Sequence, residues 1–256
     1  MSSWELERDF AARIAREAGG LVLEHFRRGV RTEWKADASP VTVADREAEV
    51  LLRQRIGERF PADGVLGEEG GEHLGTSGRR WVLDPIDGTK CFICGVPLFA
   101  VLVALEVAGA PVVGACFLPG LDEMVAASQG GGCFWNGASC HVSPTARLEE
   151  ATVIYTELRT FDASGPAAVR ARQALASRAR LMRGWGDAYG YALVATGRAD
   201  VMVDPALYPW DCAPLIPILA EAGGRFTDWS GRETHHGGNG FATNGILHGE
   251  VLELLR

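Results

Sequence analysis

Leu6, Phe10, Ile14, Leu21, Val22 and Phe26 recur at helical spacing, which predicts a long amphipathic first helix ending near Gly29. A polar loop with Lys35, Asp37, Ser39 and Pro40 follows. Ala44, Ala48, Leu51, Leu52 and Ile56 then mark a second helix, starting near Thr42 and stopped by Phe60-Pro61. Val65-Leu66 is a short apolar strand leading into Gly67-Glu68-Glu69-Gly70, and residues 75–78 form a Gly/Ser linker before an apolar strand at 81–84. From 98 to 156 the pattern is one strand after another (98–107, 112–118, 123–128, 132–135 and 152–156), joined by turns such as Trp135-Asn136-Gly137. Beyond 160 helices and strands alternate: helices at 166–179, 187–196, 211–222 and 248–255, strands at 181–183, 200–204, 225–229 and 241–243. Two helices and an antiparallel-looking sheet, then an α/β half, predict two layered subdomains, 1–147 and 148–256.

Composition narrows the function classes. With 256 residues the chain can bury a full core, and 47% hydrophobic with 23% charged residues is ordinary for a globular protein. A net charge of -8 without a basic run argues against nucleic acid as a partner. The start of the chain is charged and lacks a secretory apolar core, and the apolar run Leu98–Val107 is broken by Glu106. These features predict a soluble, cytoplasmic protein that does not enter a membrane. The six cysteines are scattered. Cys91 and Cys94 make a Cys-x-x-Cys, but no second pair with zinc spacing exists, so packing is the reading preferred for them.

The chemistry concentrates in Trp81-Val-Leu-Asp84-Pro-Ile86-Asp87-Gly88-Thr89. Pro85 holds Asp84 in extended backbone, at the tip of the strand. Gly88 and Thr89 then present backbone N–H groups as a new helical turn begins. Carboxylates for a hard cation and amides for an anion thus meet within a few residues, the requirement of a metal-dependent enzyme acting on a phosphate ester. Glu68, Glu69, Asp45 and Asp211 are further candidate acids, each with a structural alternative. Asp45 completes a capping box with Thr42, Asp211 caps a helix, and Glu68-Glu69 form a solvated turn. For Asp187 the alternative is a first-turn helix acid, for Lys90 a solvated lysine, and His235-His236 reads as a surface tract.

Glu68-Glu69, Asp84-Pro-Ile-Asp-Gly-Thr89 and Trp210-Asp211 resemble the three signature motifs of the inositol monophosphatase family of magnesium-dependent, lithium-sensitive phosphatases, and Ser39-Pro-Val-Thr-Val-Ala-Asp45 resembles its N-terminal motif. The resemblance implies an α+β / α/β fold, a layered α-β-α-β-α sandwich of the inositol monophosphatase / fructose-1,6-bisphosphatase type, and a homodimer. It also implies two to three Mg²⁺ ions. One would be held by Glu68, Asp84 and the carbonyl of Ile86, a second by Asp84, Asp87 and Asp211, and a third, weaker one by Glu68 through water. A water deprotonated with help from Thr89, itself hydrogen-bonded to Asp45, would attack phosphorus; Glu69 would assist, and the amides of Gly88 and Thr89 would hold phosphate oxygens.

The same resemblance points to a substrate class. Asp87-Gly-Thr-Lys-Cys-Phe-Ile-Cys-Gly95, Trp185-Gly186-Asp187 and Gly223-Gly-Arg-Phe-Thr-Asp-Trp229 resemble the branch of the family that acts on histidinol phosphate, a step of histidine biosynthesis. Asp187, Asp204, Trp185 and Gly186 would then form the substrate wall. Two acids suit the cationic ammonium and imidazole of that ester better than a neutral polyol. An inositol-1-phosphate or broad sugar-phosphate phosphatase with the same machinery is the alternative.

Overall fold

The computed structural model of the protein describes residues 4–29, 32–34 and 40–256; Lys35, Asp37 and Ser39 of the expected polar loop lie outside them. The chain opens with α1 (Glu5–Arg28) and α2 (Val43–Arg59), between which the two-residue strands β1 (Glu33–Trp34) and β2 (Pro40–Val41) pair. On α1 the buried stripe is Phe10, Ala11, Ile14, Ala15, Ala18 and Val22, whereas Leu6, counted above with that face, is exposed. Acids in its first turn and His25, Arg27 and Arg28 in its last suit the helix dipole. Thr42 caps α2, its hydroxyl accepting the Ala44 N–H at 3.1 Å while the Asp45 carboxylate takes the Thr42 N–H at 2.8 Å.

Next come β3 (Gly64–Gly67), β4 (Gly71–His73), β5 (Arg79–Asp87) and the short helix α3 (Thr89–Ile93). They are followed by β6 (Ala100–Val107), β7 (Ala110–Leu118), β8 (Glu123–Ser128), β9 (Gly132–Trp135) and β10 (Ala138–Ser139). These strands make an eight-stranded sheet of order β10-β9-β8-β7-β6-β5-β3-β4, antiparallel except where β3 lies parallel to β5. The second half contributes β11 (Thr152–Tyr155), α4 (Leu158–Ala163), α5 (Pro166–Arg178), β12 (Leu181–Arg183), α6 (Ala188–Ala195), β13 (Val201–Asp204) and α7 (Pro209–Cys212). It ends with α8 (Leu215–Glu221), β14 (Arg225–Thr227), β15 (Gly240–Thr243) and α9 (His248–Leu255). Its five-stranded sheet runs β12-β11-β13-β15-β14.

Strand alternation sorts the side chains into three large cores, with a small fourth cluster of Val82, Ala104 and Ala213. Val101, Val103 and Leu105 of β6 join the stripes of α1 and α2, while Ala100 and Leu102 face the other way. There they meet α6 and α8 together with Ile154, Met202 and Ala242 of the second sheet. Val153, Val201, Val203 and Phe241 occupy that sheet's far face, packed with Ala168, Ala171, Leu175, Val251 and Leu255 of α5 and α9. The layers are therefore α, β, α, β, α, as expected, and the middle helical layer is apolar on both sides.

Two expected elements differ. The strand expected at 81–84 runs over residues 79–87, because Val82, Leu83 and Ile86 are all buried and pairing with β6 resumes at Asp87. The helix expected at 211–222 is two helices. Pro214 lacks an N–H, so the chain ends α7 and restarts as α8, which tolerates Pro217 in its first turn. Just there β7 packs closest: a Cβ on Gly114 would lie 1.9 Å from the Pro214 carbonyl oxygen, a backbone atom with nowhere to go. Gly114→Ala is expected to destabilise the fold by about 2 kcal/mol or more, read as a lower urea midpoint with an unchanged slope; an unchanged midpoint would show that the two layers can separate freely.

Candidate active site

A regular strand sends residues three apart to opposite faces, so Asp84 and Asp87 would diverge if β5 were regular. It is not. Asp84 pairs with Leu102 and Asp87 with Ala100, so three steps along β5 oppose two along β6. The extra residue, at Pro85-Ile86, is a bulge that turns Asp87 back toward the face Asp84 occupies. Asp211, in the four-residue helix α7, completes the set: one carboxylate oxygen from each of the three lies within 4.8 Å of the others. Each acid also accepts one backbone N–H, Asp84 from Ile86 at 3.0 Å, Asp87 from Ala188 at 2.5 Å and Asp211 from Tyr208 at 2.8 Å. Hard oxygen donors converging in this way fit a small divalent cation.

The electrostatics of the cluster are those of crowded, buried like charges. Burial, then Glu68, Asp87 and Asp211, push the Asp84 carboxyl well above the usual range; burial, then Asp187 and Asp211, do the same to Asp87. Asp211 is pushed up to about 7 by burial, with Glu68, Asp204 and Asp187 adding to it against the Tyr208 amide. Asp45 rises to about 6, chiefly by burial, opposed by its Thr42 bonds and aided by Glu69 and Glu68. On the turn that follows β3, Glu68 thus lies within electrostatic reach of Asp84 and Asp211, and Glu69 within reach of Asp45.

Asp87 and Asp211 also line a cavity with Thr156, Thr160, Asp187, Ala188, Tyr191, Asp204, Ala206 and Leu207. Asp204 is held in the wall by the Tyr191 hydroxyl at 3.0 Å, and burial raises it to about 7. Asp187 stands before α6 with φ 53°, ψ -157°, and makes no side-chain cap, so it is not a first-turn helix acid. Such backbone costs on the order of 1–3 kcal/mol. It is held by the Asp187 N–H donating to the Thr156 hydroxyl at 3.0 Å and by the Ala188 N–H on Asp87. Burial raises Asp187 to about 6 against the pull of Lys90.

The remaining expected residues fall as follows. Gly88 has φ 82°, and a Cβ there would meet the Leu98 carbonyl at 2.9 Å and the Asp187 carboxylate at 3.1 Å. The Thr89 hydroxyl gives its one proton to the Ile86 carbonyl at 3.0 Å, and Asp45 is bonded to the Thr42 hydroxyl at 2.7 Å, so the implied Thr89–Asp45 bond is not formed. Trp185 is exposed and Gly186 packs on Thr156, where a Cβ would come within 2.1 Å of a backbone carbon; neither lines the cavity. Lys90 pairs with Glu157. Burial and nearby acids push the Cys91 thiol up to about 11, which keeps it protonated, and Cys94 is exposed. His235 corrects the surface reading: it is buried 2.6 Å from Glu106, which also binds Arg80, while His236 is exposed. Thr156, Thr160 and Leu207 carried no sequence signal, whereas Tyr191 belongs to Tyr189-Gly190-Tyr191, a segment that resembles the histidinol-phosphate branch of the family.

The sequence matches the inositol monophosphatase family over residues 4–256. A histidinol-phosphatase of Chlorobaculum parvum is 47% identical, covering 94% of this chain and 93% of its own. A histidinol-phosphatase of Mycobacterium tuberculosis is 42% identical, covering 88% of each. Among solved structures, the extragenic suppressor protein suhB of Bartonella henselae superposes with a TM-score of 0.90 at 29% identity, covering 97% of each chain.

Raised carboxyl pKa values set the sign of a pH effect on the metal-free protein. An unfolded aspartate titrates near 4 and Asp211 in the fold near 7, so between those values the folded state holds the extra proton. That contribution is full below about pH 4 and lost as pH rises through about 7. In chelator-treated protein, the gain in Tm from Asp211→Asn should therefore grow from pH 4 to pH 8, reaching roughly 3 °C or more. A gain that stays flat or shrinks with rising pH contradicts the crowding.

Proposed function

We propose that this chain, which belongs to the inositol monophosphatase family, is a histidinol-phosphatase, hydrolysing L-histidinol phosphate to L-histidinol and phosphate in histidine biosynthesis. The observation that carries this reading is the acidic cleft itself, in which the Asp84–Asp87–Asp211 cluster opens onto a cavity walled by two further acids, Asp187 and Asp204. The near full-length likeness to proteins named histidinol-phosphatase supports it. The inositol-1-phosphate or broad sugar-phosphate alternative is not favoured.

Two to three Mg²⁺ ions would be held by Glu68, Asp84, the Ile86 carbonyl, Asp87 and Asp211. Bound there, Mg²⁺ supplies the positive charge that polarises the phosphoryl group and acidifies the attacking water. The chain does the rest. Gly88 and Thr89 offer their amides to the phosphate oxygens, and the positive φ of Gly88 shapes the turn that begins α3. Asp45, titrating at about 6, is suited to take up the proton of the attacking water near neutrality, with Glu69 close to it; Thr89 would join them by turning its hydroxyl away from the Ile86 carbonyl. Asp187 and Asp204 face the cationic end of the ester, with Trp185 and Gly186 shaping the segment that presents Asp187. In this division residues 1–147 carry most of the metal site and 148–256 select the substrate, with Asp211 crossing between them. Lithium sensitivity, a homodimer and a cytoplasmic location complete the reading and rest on the family resemblance; no helix among the described residues is long and apolar enough to cross a membrane.

A phosphate-release panel with histidinol phosphate, inositol 1-phosphate, a 3′-phosphoadenosine nucleotide and fructose 1,6-bisphosphate is the test. Histidinol phosphate should lead in kcat/KM by about tenfold or more, a preference worth about 1.4 kcal/mol; equal turnover of inositol 1-phosphate sinks the assignment. Asp87→Asn should cut phosphate release by roughly a hundredfold or more, and chelation should abolish it until Mg²⁺ is restored. Asp187→Asn should raise KM for histidinol phosphate while leaving kcat for inositol 1-phosphate nearly unchanged, because only the cationic ester needs that charge.

A further inference from the structure

The turn that carries Glu68 and Glu69 is tied to α2 by a side chain that belongs to none of the recognised motifs. Glu49 lies one helical turn after Asp45, on the same face, and both are almost fully buried. Its carboxylate accepts the Glu69 N–H at 2.7 Å and the Gly70 N–H at 2.8 Å, one on each oxygen. Arg53, a turn further along α2, binds Glu49 at 2.7 Å and also the Gly71 carbonyl. The glycines on either side of the two glutamates are shaped to this carboxylate. A Cβ at Gly67 would stand 2.4 Å from a Glu49 oxygen, and one at Gly70 would stand 2.6 Å from it. Neither glycine has positive φ, so close approach, not backbone conformation, is what requires them. The Gly-Glu-Glu-Gly run is thus the complement of a buried acceptor seated on the helix that also bears Asp45.

We propose that Glu49 is a positioning residue for cation binding: by fixing the 67–70 turn from beneath, it aims Glu68 and Glu69 at the Asp84–Asp87–Asp211 cluster. This rests on the reading of that cluster and Glu68 as the cation site. A carboxylate is needed, because both turn amides donate and only two acceptor oxygens can answer them. Glutamine keeps one acceptor and sets an NH₂ donor against the other amide.

The test measures Mg²⁺ dependence of phosphate release together with direct Mn²⁺ binding by calorimetry. Glu49→Gln should raise both the Mg²⁺ half-saturation and the Mn²⁺ dissociation constant by about tenfold, with kcat at saturating Mg²⁺ within about threefold of wild type. Leu52→Ala, which opens a cavity on the same helix without touching the turn, should lower Tm yet leave both metal constants nearly unchanged. Wild-type constants in a folded Glu49→Gln protein overturn the proposal, as does an equal shift from Leu52→Ala. Should Glu49→Gln fail to fold, Gly70→Ala at the exposed end of the turn should move the metal constants the same way, and wild-type constants there overturn it equally. Asp87→Asn separates the two readings: undiminished Mn²⁺ binding in that variant removes the cation site, and the proposal with it.

Discussion

Carboxylates crowded at the buried end of an interior strand repel one another, and the rest of the structure is arranged to hold them there. Asp84, Asp87 and Asp211 stand close enough to share one small cation, with Asp187 and Asp204 on the adjoining wall. Left to themselves these groups take up protons, which is the direction in which burial and mutual repulsion move them. The fold offsets part of that cost with oriented N–H groups. Each of the three clustered acids accepts one backbone amide, Asp45 accepts that of Thr42, and Glu49 accepts two. A divalent cation bound there, as proposed, would supply the remaining compensation, and the same crowding that raises the carboxyl pKa values would then favour its binding.

The supports come from separate parts of the chain. Asp84 and Asp87 sit on β5, in the middle of the large sheet; Asp211 arrives on α7 from the second half; Glu68 and Glu69 hang from the end of β3. What registers these parts is the apolar middle layer, where α6 and α8 fill the space between the two sheets. Ala188, the first residue of α6, gives its amide to Asp87, so the same helix that packs the sheets together also orients an acid across the junction. The strained backbone of Asp187 is the local cost of bringing that amide into place.

Much of this was legible in the sequence, for identifiable reasons. The stripe on α1, the alternating strands β6–β9 and the capped start of α2 are local patterns, and their elements formed where expected. Features that needed two distant segments were not legible. Pro85 suggested a strand tip at Asp84, yet pairing with β6 carried β5 on to Asp87 through a bulge. The helix expected at 211–222 was divided at Pro214, a local signal outweighed by apolar periodicity. His235 read as surface, because its neighbour Glu106 lies on a strand far away in the chain. Thr156 and Leu207 entered the cavity from segments whose apolar pattern disclosed only a core.

Sequence alone determined the chemistry available: which acids exist, the Asp-x-x-Asp spacing with its following Gly-Thr, and the order of helices and strands that makes a layered fold. Those are properties of local side-chain identity and backbone preference, and they survive in any reading of the chain. Tertiary structure decided which acids meet, which hydrogen bond each one makes, and that Thr89 turns to the Ile86 carbonyl while Asp45 stays with Thr42. It also decided that a Cβ at Gly67 or Gly70 would displace the Glu49 carboxylate, a constraint lying on another element. Periodicity reports which face of an element is buried; it carries no information about the partner buried against it, and the site is made of partners.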